Sequence, residues 1–194
     1  MAFADQLTGL PNRHDLHENF SQLQNTGLPL AAAMIDIANF GAVNRNLGHH
    51  MGDRVLRYSG VFIQNNVRQD DSGDALDKVL VNRQGGDEFV ILAVLADRDR
   101  RPVPEHTRAK VMGNICLRLA YSYQHDSVIS TYNAGVEPDE ELSLLFNYAL
   151  YVPNNSLEDL LAAADPKCRG DSAGLPKKAE LAEEMKRALD ETNH

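Results

Sequence analysis

A pair of apolar runs separated by a short glycine-containing segment limits the folds that this chain can adopt. The runs are KVLV and FVILAVL, the segment between them is NRQGGDE, and the whole stretch covers residues 78–95. Short apolar runs bounded by turn residues are typical of buried strands. A Gly-Gly pair supplies the positive φ angles that tight hairpin turns need. The stretch therefore predicts a β-hairpin with Asp87 and Glu88 at its tip.

The remaining sequence alternates between helical and strand patterns. Helices are predicted over residues 12–24, 51–68, 105–124, 156–165 and 177–192, with Asn12 or Asp15 capping the first and Ser156 opening the fourth. A strand is predicted over residues 28–37, a loop with a helical turn over 38–50, a loop over 69–77, and a second hairpin over 127–152. This order predicts an α/β sandwich whose central sheet is mixed, mainly antiparallel and flanked by helices.

Charge and composition restrict the classes of partner. The net charge of −9 argues against nucleic acid or an anionic membrane as the main partner, because both need a basic surface. It is compatible with a nucleotide bound through metal ions. Cys116 and Cys168 have no metal-ligand spacing and predict no disulfide framework. No apolar run approaches the ~20 residues of a membrane span, and the N-terminus lacks a signal-peptide pattern, so we expect a cytoplasmic location.

Three acidic residues are predicted to meet at one edge of the sheet. Asp36 ends the first strand, and Asp87 and Glu88 lie at the hairpin tip. Converging carboxylates repel one another unless a cation lies between them. Mg²⁺ is the usual cation, since it prefers oxygen ligands and bridges to phosphates, and two such ions can hold the attacking and leaving oxygens of an in-line displacement. Taken alone, a hairpin tip of this kind is far more often a solvated turn than a metal site.

Sequence blocks on both sides of the hairpin resemble those of a known family. They are DQLTGLPNR, MIDIANF and NLGHHMGDRVL before it and SLEDLLAAAD after it. From Asp5 to about Asp165 the chain resembles the GGDEF family of bacterial diguanylate cyclases. The resemblance implies a nucleotidyl-cyclase-like fold with a ferredoxin-like βαββαβ core, and condensation of two GTP into cyclic di-GMP with release of pyrophosphate. It assigns residues 1–176 to the cyclase domain and leaves 177–194 as a C-terminal helical extension.

The resemblance also assigns roles to the acidic residues. Asp36, the carbonyl of Ile37 and Asp87 match the family's metal ligands, and two Mg²⁺ or Mn²⁺ ions are expected in each active site. Glu88 matches the acid that activates the 3′-hydroxyl or binds metal, so Glu88 and Asp87 are the expected catalytic residues.

By the same resemblance, six residues are expected to contact GTP. Gly85 and Gly86 form the turn that lies against the phosphates, and the backbone N–H groups of Asn39 and Phe40 lie near the phosphates. Asn44 and Asp53 recognise the guanine base. An Asp carboxylate accepts from guanine N1–H and N2–H, and adenine would leave such groups unpaired. Two alternatives remain open from the residues alone: Asp53 as an acid at a helix N-terminus and Asn44 as a turn residue.

The chain departs from the family pattern at several positions that contact phosphate. Ala38 replaces a second Asp, Gly41 replaces a Lys, and the Lys and Arg that follow the AAAD helix are missing. Four cations nearby in sequence could substitute for the missing pair from a shifted backbone, although none aligns with it: Lys167, Arg169, Lys177 and Lys178. These departures leave two hypotheses open, an active cyclase and a degenerate domain that binds GTP or cyclic di-GMP without turnover. A plain interaction domain is the third.

Regulation and assembly follow from the resemblance as expectations. Arg68 and Asp71 have the Arg-x-x-Asp spacing of the family's product-inhibition site, and an exposed acidic helix end is the alternative. Because the product has two-fold symmetry and each domain holds one GTP, the active form is expected to be a homodimer. Sensory or effector domains in a parent protein are expected partners.

Overall fold

The computed structural model describes residues 4–67, 78–97 and 99–168. Its helices are α1 Arg13–Gln24, α2 Phe40–Leu47, α3 His49–Asn66, α4 Glu105–Gln124, α5 Ser127–Asn133, α6 Leu157–Ala164 and a 3₁₀ helix Pro166–Cys168. Its strands are β1 Leu30–Ala38, β2 Lys78–Gly85, β3 Glu88–Val94 and β4 Ser143–Leu150. Predictions at Arg68, at Asp71 and for the segment 177–194 lie outside the described residues, as do Arg169, Lys177 and Lys178.

The helix boundaries follow from local capping chemistry. The side chain of Asn12 accepts hydrogen bonds from the backbone N–H groups of His14 and Asp15, which confirms Asn12 as the cap of α1. Ser156 and Asp159 form a reciprocal capping box at the start of α6. None of the helices in the described ranges is long and apolar enough to cross a membrane.

The four strands form one sheet in the order β2-β3-β1-β4. The β2–β3, β1–β3 and β1–β4 pairings are all antiparallel, so the described sheet has none of the parallel pairing expected of a mixed sheet. With α3 joining β1 to β2 and α4 joining β3 to β4, this is a βαββαβ arrangement. The predicted hairpin is confirmed, and β1 lies between β3 and β4 at the centre of the sheet.

Side chains alternate between two cores because successive residues of a strand face opposite sides. One core contains Ala33, Ile35 and Ile37 of β1 and is covered by α3 and α4. The other contains Ala32 and Met34 and is covered by α1 and α6. The sheet is thus the middle layer of three, and Asp36 follows Met34 on the face of α1 and α6.

Two element predictions are wrong. The loop with a helical turn that was predicted over residues 38–50 is mostly the helix α2. Gly41 lies in the first turn of α2 and does not interrupt it, and only Gly48, with φ 80°, breaks the chain at the junction to α3. The second hairpin does not form. Its first arm is the helix α5, which the side chain of Asp126 caps by accepting from Val128 and Ile129 backbone N–H groups. β-Branched residues favoured a strand there, but capping and burial of Ile129 outweigh that weak preference.

Candidate active site

The antiparallel register of β1 and β3 places Asp36 directly opposite Glu88. Residues that face each other in this way have Cβ atoms about 5 Å apart on the same side of the sheet, and like charges there repel. Asp36 is 15% exposed and Glu88 is 34% exposed. The predicted convergence of these carboxylates is therefore present, at the end of the sheet where β1 finishes and β3 begins.

The turn between β2 and β3 depends on its two glycines. Gly85 has φ 148° and Gly86 has φ 54°, values that residues with a Cβ rarely adopt. The β-ladder shifts register between Arg83 and Gly85, and Gly85 then pairs with Glu88. Asp87 consequently lies in the turn itself, next to Glu88 and open to the cavity described below.

Asp87 lies in an electrostatically unfavourable position. Burial raises the pKa of its carboxyl, and the negative charge of Asp36 raises it further, while Lys167 opposes this effect. A carboxylate whose ionised form is disfavoured by a second carboxylate gains from any cation placed between them. This is the arrangement expected of a cation site and is unusual for a solvated turn.

A lysine lies between the two facing carboxylates. The ammonium Nζ of Lys167, in the 3₁₀ helix after α6, is 2.7 Å from Glu88 Oε1 and 3.1 Å from Asp36 Oδ2. Hydrogen bonds to Glu88 and, to a smaller extent, to Asp36 raise the pKa of Lys167. The sequence offered Lys167 as one of four cations that could substitute for the missing clamp from a shifted backbone, although Lys167 does not align with the clamp residues. The structure brings it into the site nevertheless.

Asp36, Asp87 and Lys167 border a cavity of about 370 Å³. Its lining residues come from the end of β1, the start of α2, the glycine turn, β4 and the 3₁₀ helix: Asp36, Ile37, Ala38, Asn39, Phe40, Gly41, Asp87, Leu145, Pro166 and Lys167. The cavity therefore brings together the predicted metal ligands and the predicted phosphate-facing residues Asn39 and Phe40. Ala38 and Gly41, the positions where the family pattern has an Asp and a Lys, also line the cavity.

The start of α2 faces the cavity through its backbone. Asn39 precedes the helix with φ 62°, and the first N–H groups of a helix have no partner within it. The Asn39 side chain is used elsewhere, because its Nδ2 donates to the carbonyls of Asp139 and Glu141, 2.9 Å from each. Such a helix terminus, with its partial positive charge, suits an anion.

The chemistry of the donors fits a divalent cation. Asp36, Asp87 and the Ile37 carbonyl are oxygen donors around one cavity, and the Lys167 ammonium is already a cation held between Asp36 and Glu88. Across the described ranges, no group of three or more His, Cys, Asp or Glu is arranged to hold a metal ion. Mg²⁺ commonly uses one or two carboxylates and completes its shell with water and substrate phosphates. A site with two carboxylates and one carbonyl is therefore compatible with Mg²⁺.

Asn44 and Asp53 lie on consecutive helices, α2 and α3, that meet at Gly48. Gly52 is buried directly against Asn44: a methyl group there would overlap the Asn44 side-chain oxygen. The absent side chain at Gly52 thus makes room for Asn44 between the helices. The contact makes Asn44 part of a packed helix junction, and the pairing with Asp53 as a guanine reader stays a prediction.

Arg45 is a cation near the cavity that the sequence prediction missed. A Cβ on Gly41 would lie 3.3 Å from Arg45 Nη1, so the guanidinium extends over this glycine. The four-residue spacing from Gly41, one helical turn, was the signal that could have identified it once α2 was known to be a helix.

The other side of the glycine turn is held by an arginine. Arg83 Nη1 donates to both carboxylate oxygens of Asp5, at 2.8 and 2.9 Å. Arg83 Nε and Nη2 donate to the carbonyl of Gly86, at 3.1 and 2.6 Å. The Asp5 carboxylate also accepts from the backbone N–H and the hydroxyl of Thr8. The N-terminal segment is thereby fastened to the tip of the hairpin.

The fold and the acidic turn place the molecule among the nucleotidyl-cyclase-like α+β domains. A family model described as "Diguanylate cyclase, GGDEF domain" matches residues 2–169. The chain belongs to the GGDEF family of bacterial diguanylate cyclases.

Named relatives support the same assignment. The chain is 37% identical over 121 residues to the response regulator PleD of Caulobacter vibrioides, a match covering 59% of this chain and 24% of PleD. It is 34% identical over 153 residues to the diguanylate cyclase DgcZ of Escherichia coli K12, covering 75% of this chain and 47% of DgcZ. The chain thus matches less than half the length of either relative.

A solved structure agrees with the fold. The diguanylate cyclase SiaD of Pseudomonas aeruginosa, in complex with its activator SiaC, superposes with a TM-score of 0.63 at 25% identity. The superposition covers 84% of this chain and 55% of SiaD.

Proposed function

We propose that this domain is a diguanylate cyclase that condenses two GTP molecules into cyclic di-GMP and releases two pyrophosphates. The supporting observation is the placement of Asp36 opposite Glu88, with Asp87 beside them, on a cavity that also receives the start of α2. Carboxylates at one end and backbone donors at the other suit a triphosphate bound together with cations.

In the proposed reaction the 3′-oxygen of one GTP attacks the α-phosphorus of the other. A new P–O bond forms, the bond between the α- and β-phosphates breaks, and pyrophosphate leaves with that electron pair. Glu88, which is partly exposed, accepts the 3′-hydroxyl proton and so acts as the general base. Asp87 is the second catalytic residue. A second, identical displacement closes the ring.

Asp36, Asp87 and the Ile37 carbonyl would hold Mg²⁺ or Mn²⁺, two ions per site. When bound, these ions supply positive charge for the phosphates and orient the attacking and leaving oxygens. Gly85 and Gly86 have no side chains, so the phosphates can approach the turn backbone.

The start of α2 and its junction with α3 would bind the rest of the nucleotide. The backbone N–H groups of Asn39 and Phe40 donate to the phosphates. Asn44 and Asp53 select guanine, with the Asp53 carboxylate accepting from N1–H and N2–H. Because adenine has an acceptor at N1 and no amino group at C2, ATP would leave these side chains without their hydrogen-bond partners.

The proposed active form is a homodimer in the cytoplasm. The product is symmetric and each domain supplies one GTP, so two copies of the cavity have to face each other. Cyclic di-GMP is the product and also an inhibitor at Arg68 and Asp71 in this proposal. Sensory or effector domains of a longer parent protein would control the encounter of the two copies.

The test is incubation of the concentrated chain with GTP and Mg²⁺ or Mn²⁺, followed by chromatography for cyclic di-GMP and pyrophosphate. We expect product from the wild-type chain and none from Asp87→Ala. Circular dichroism of the variant checks that its fold is retained.

A fusion of the domain to a parallel dimeric coiled coil is the matched control for assembly. If the fusion is also silent while calorimetry detects GTP binding, the cyclase proposal is wrong and the domain is a non-catalytic sensor. If neither GTP nor cyclic di-GMP binds, the domain is an interaction module.

A further inference from the structure

Lys167 is fixed in place by its own backbone. Asn147 of β4 donates through Nδ2 to the carbonyls of Ala163 and Asp165, at 3.2 and 3.3 Å. The Asp165 side chain in turn accepts from the backbone N–H of Lys167 at 2.7 Å. These contacts attach the end of α6 and the following 3₁₀ helix to the sheet, so the Lys167 side chain starts from a defined position beside the cavity.

The ammonium of Lys167 takes a position that a bound cation would also need. It contacts one oxygen of Glu88 on β3 and one oxygen of Asp36 on the neighbouring strand β1, at 2.7 and 3.1 Å. Its side chain is 62% exposed, whereas that of Asp36 is 15% exposed. A lysine side chain is a compact charge on a flexible stem, and an exposed one can leave a site without unpacking the core.

We propose that Lys167 is a resident counter-ion that competes with the divalent cation for Asp36, so that metal binding has to displace the lysine from that carboxylate. The inference rests on the proposed function, because it takes Asp36 as a metal ligand. An ammonium and a divalent cation that both contact the Asp36 carboxylate repel each other. The lysine therefore neutralises part of the negative charge of the metal-free site and raises the metal concentration needed to load it.

The test measures binding of Mn²⁺ alone, without nucleotide, by electron paramagnetic resonance. Lys167→Met removes the charge and keeps the length of the side chain, and we expect it to tighten Mn²⁺ binding about three- to tenfold, the range expected for loss of exposed ion pairs. Lys167→Arg keeps the charge and should bind Mn²⁺ no more tightly than the wild-type chain. A larger Mn²⁺-dependent rise in Tm for Lys167→Met than for wild type is the second readout.

Lys78→Met is the matched control. It removes the same charge from the first residue of β2, at the opposite end of that strand from Gly85, and should leave Mn²⁺ binding at the wild-type value. An equal gain in Lys78→Met and Lys167→Met would overturn the inference, because the effect would then come from net charge alone. Equal affinity in wild type and Lys167→Met, or no Mn²⁺ binding by either, would also overturn it.

The two proposals fail separately. If Lys167→Met binds Mn²⁺ with unchanged affinity and the wild-type chain forms product that Asp87→Ala does not, the counter-ion role is wrong and the cyclase proposal is supported. Tighter Mn²⁺ binding in Lys167→Met with no product from the wild-type chain or its dimeric fusion would do the reverse.

Discussion

Two ion-pair clusters flank the glycine turn, and they differ in burial and in the number of bonds they make. Arg83 and Asp5 are 11% and 23% exposed, and the Nη1 atom of Arg83 contacts both carboxylate oxygens of Asp5. Lys167 is 62% exposed and makes one contact to each of two carboxylates. Partly buried ion pairs with several charge-assisted hydrogen bonds hold geometry, whereas exposed single contacts contribute little to stability and exchange readily. The turn is thus fixed on one side and left adjustable on the other.

The difference is also one of completeness. Arg83 uses its remaining donors on the Gly86 carbonyl, and Asp5 accepts from Thr8, so the first cluster needs no further partner. The second cluster has one ammonium against Asp36 and Glu88, with Asp87 next to them. The excess of negative charge there is a cost to the folded chain that only a ligand or a proton relieves.

The largest expected effect comes from removing the fixed cluster. Asp5→Ala leaves the Arg83 guanidinium largely buried without its carboxylate, and we expect a loss of roughly 2–4 kcal/mol in the free energy of unfolding. Urea denaturation followed by circular dichroism measures it. Lys167→Ala, measured in chelator, should change the free energy of unfolding by less. If the two variants are equally destabilised, the contrast between the clusters is wrong.

A smaller effect is expected in the pH dependence of stability. Burial acts to raise the pKa of Asp5, but the hydrogen bonds from Arg83 and Thr8 outweigh it and hold the pKa below its usual 3.8. The ionised form is therefore favoured in the folded chain, so this contribution is present above pH 3.8 and is lost as the pH falls below it. The stability difference between wild type and Asp5→Asn should shrink on acidification from neutral pH to about pH 3.

Urea midpoints of both proteins over that pH range provide the measurement. A difference that stays constant down to the acid limit would show that Asp5 acts through packing alone.

The smallest expected effect has the opposite sign. Burial and the charge of Asp36 raise the pKa of Asp87, so its ionised form is penalised in the folded chain, and the penalty is present at neutral pH and relieved on acidification. Asp87→Asn removes the charge. In chelator at neutral pH we expect a gain of a few tenths to about 1 kcal/mol after solvent screening.

Thermal unfolding at neutral pH and again near pH 4 checks the sign, since the gain should shrink at the lower pH. A less stable Asp87→Asn protein at neutral pH would show that the negative charge of Asp87 does not destabilise the folded chain.

Much of the fold could be predicted because local signals agreed with the final structure. The hairpin has a turn sequence between two apolar runs, and α1, α4 and α6 have clear periodicity or caps. The failures occurred where a weak local preference met a tertiary contact. The β-branched residues of α5 favour a strand, yet its Asp126 cap and buried Ile129 produce a helix.

The carboxylates of the site were predictable and its cations were not. Asp36 and Glu88 lie at a strand end and a turn, where a register argument brings them together. Lys167 follows α6, and its approach to these residues depends on how Asn147 fastens the end of that helix to β4. Such contacts between distant segments have no signature in local sequence. The sequence therefore offered Lys167 only as one of four substitutes for the missing clamp and did not place it against Asp36 and Glu88.

The position of Lys167 in the chain has a consequence for synthesis. Lys167 and Glu88 are 79 residues apart in sequence, and β1, which holds Asp36, gains its last strand partner only with β4. On the ribosome, the carboxylates emerge long before the segment that neutralises them. Contacts of such high sequence separation form late in folding. A nascent chain that ends before residue 167 therefore holds Asp36 and Glu88 without the ammonium that pairs with them in the complete domain.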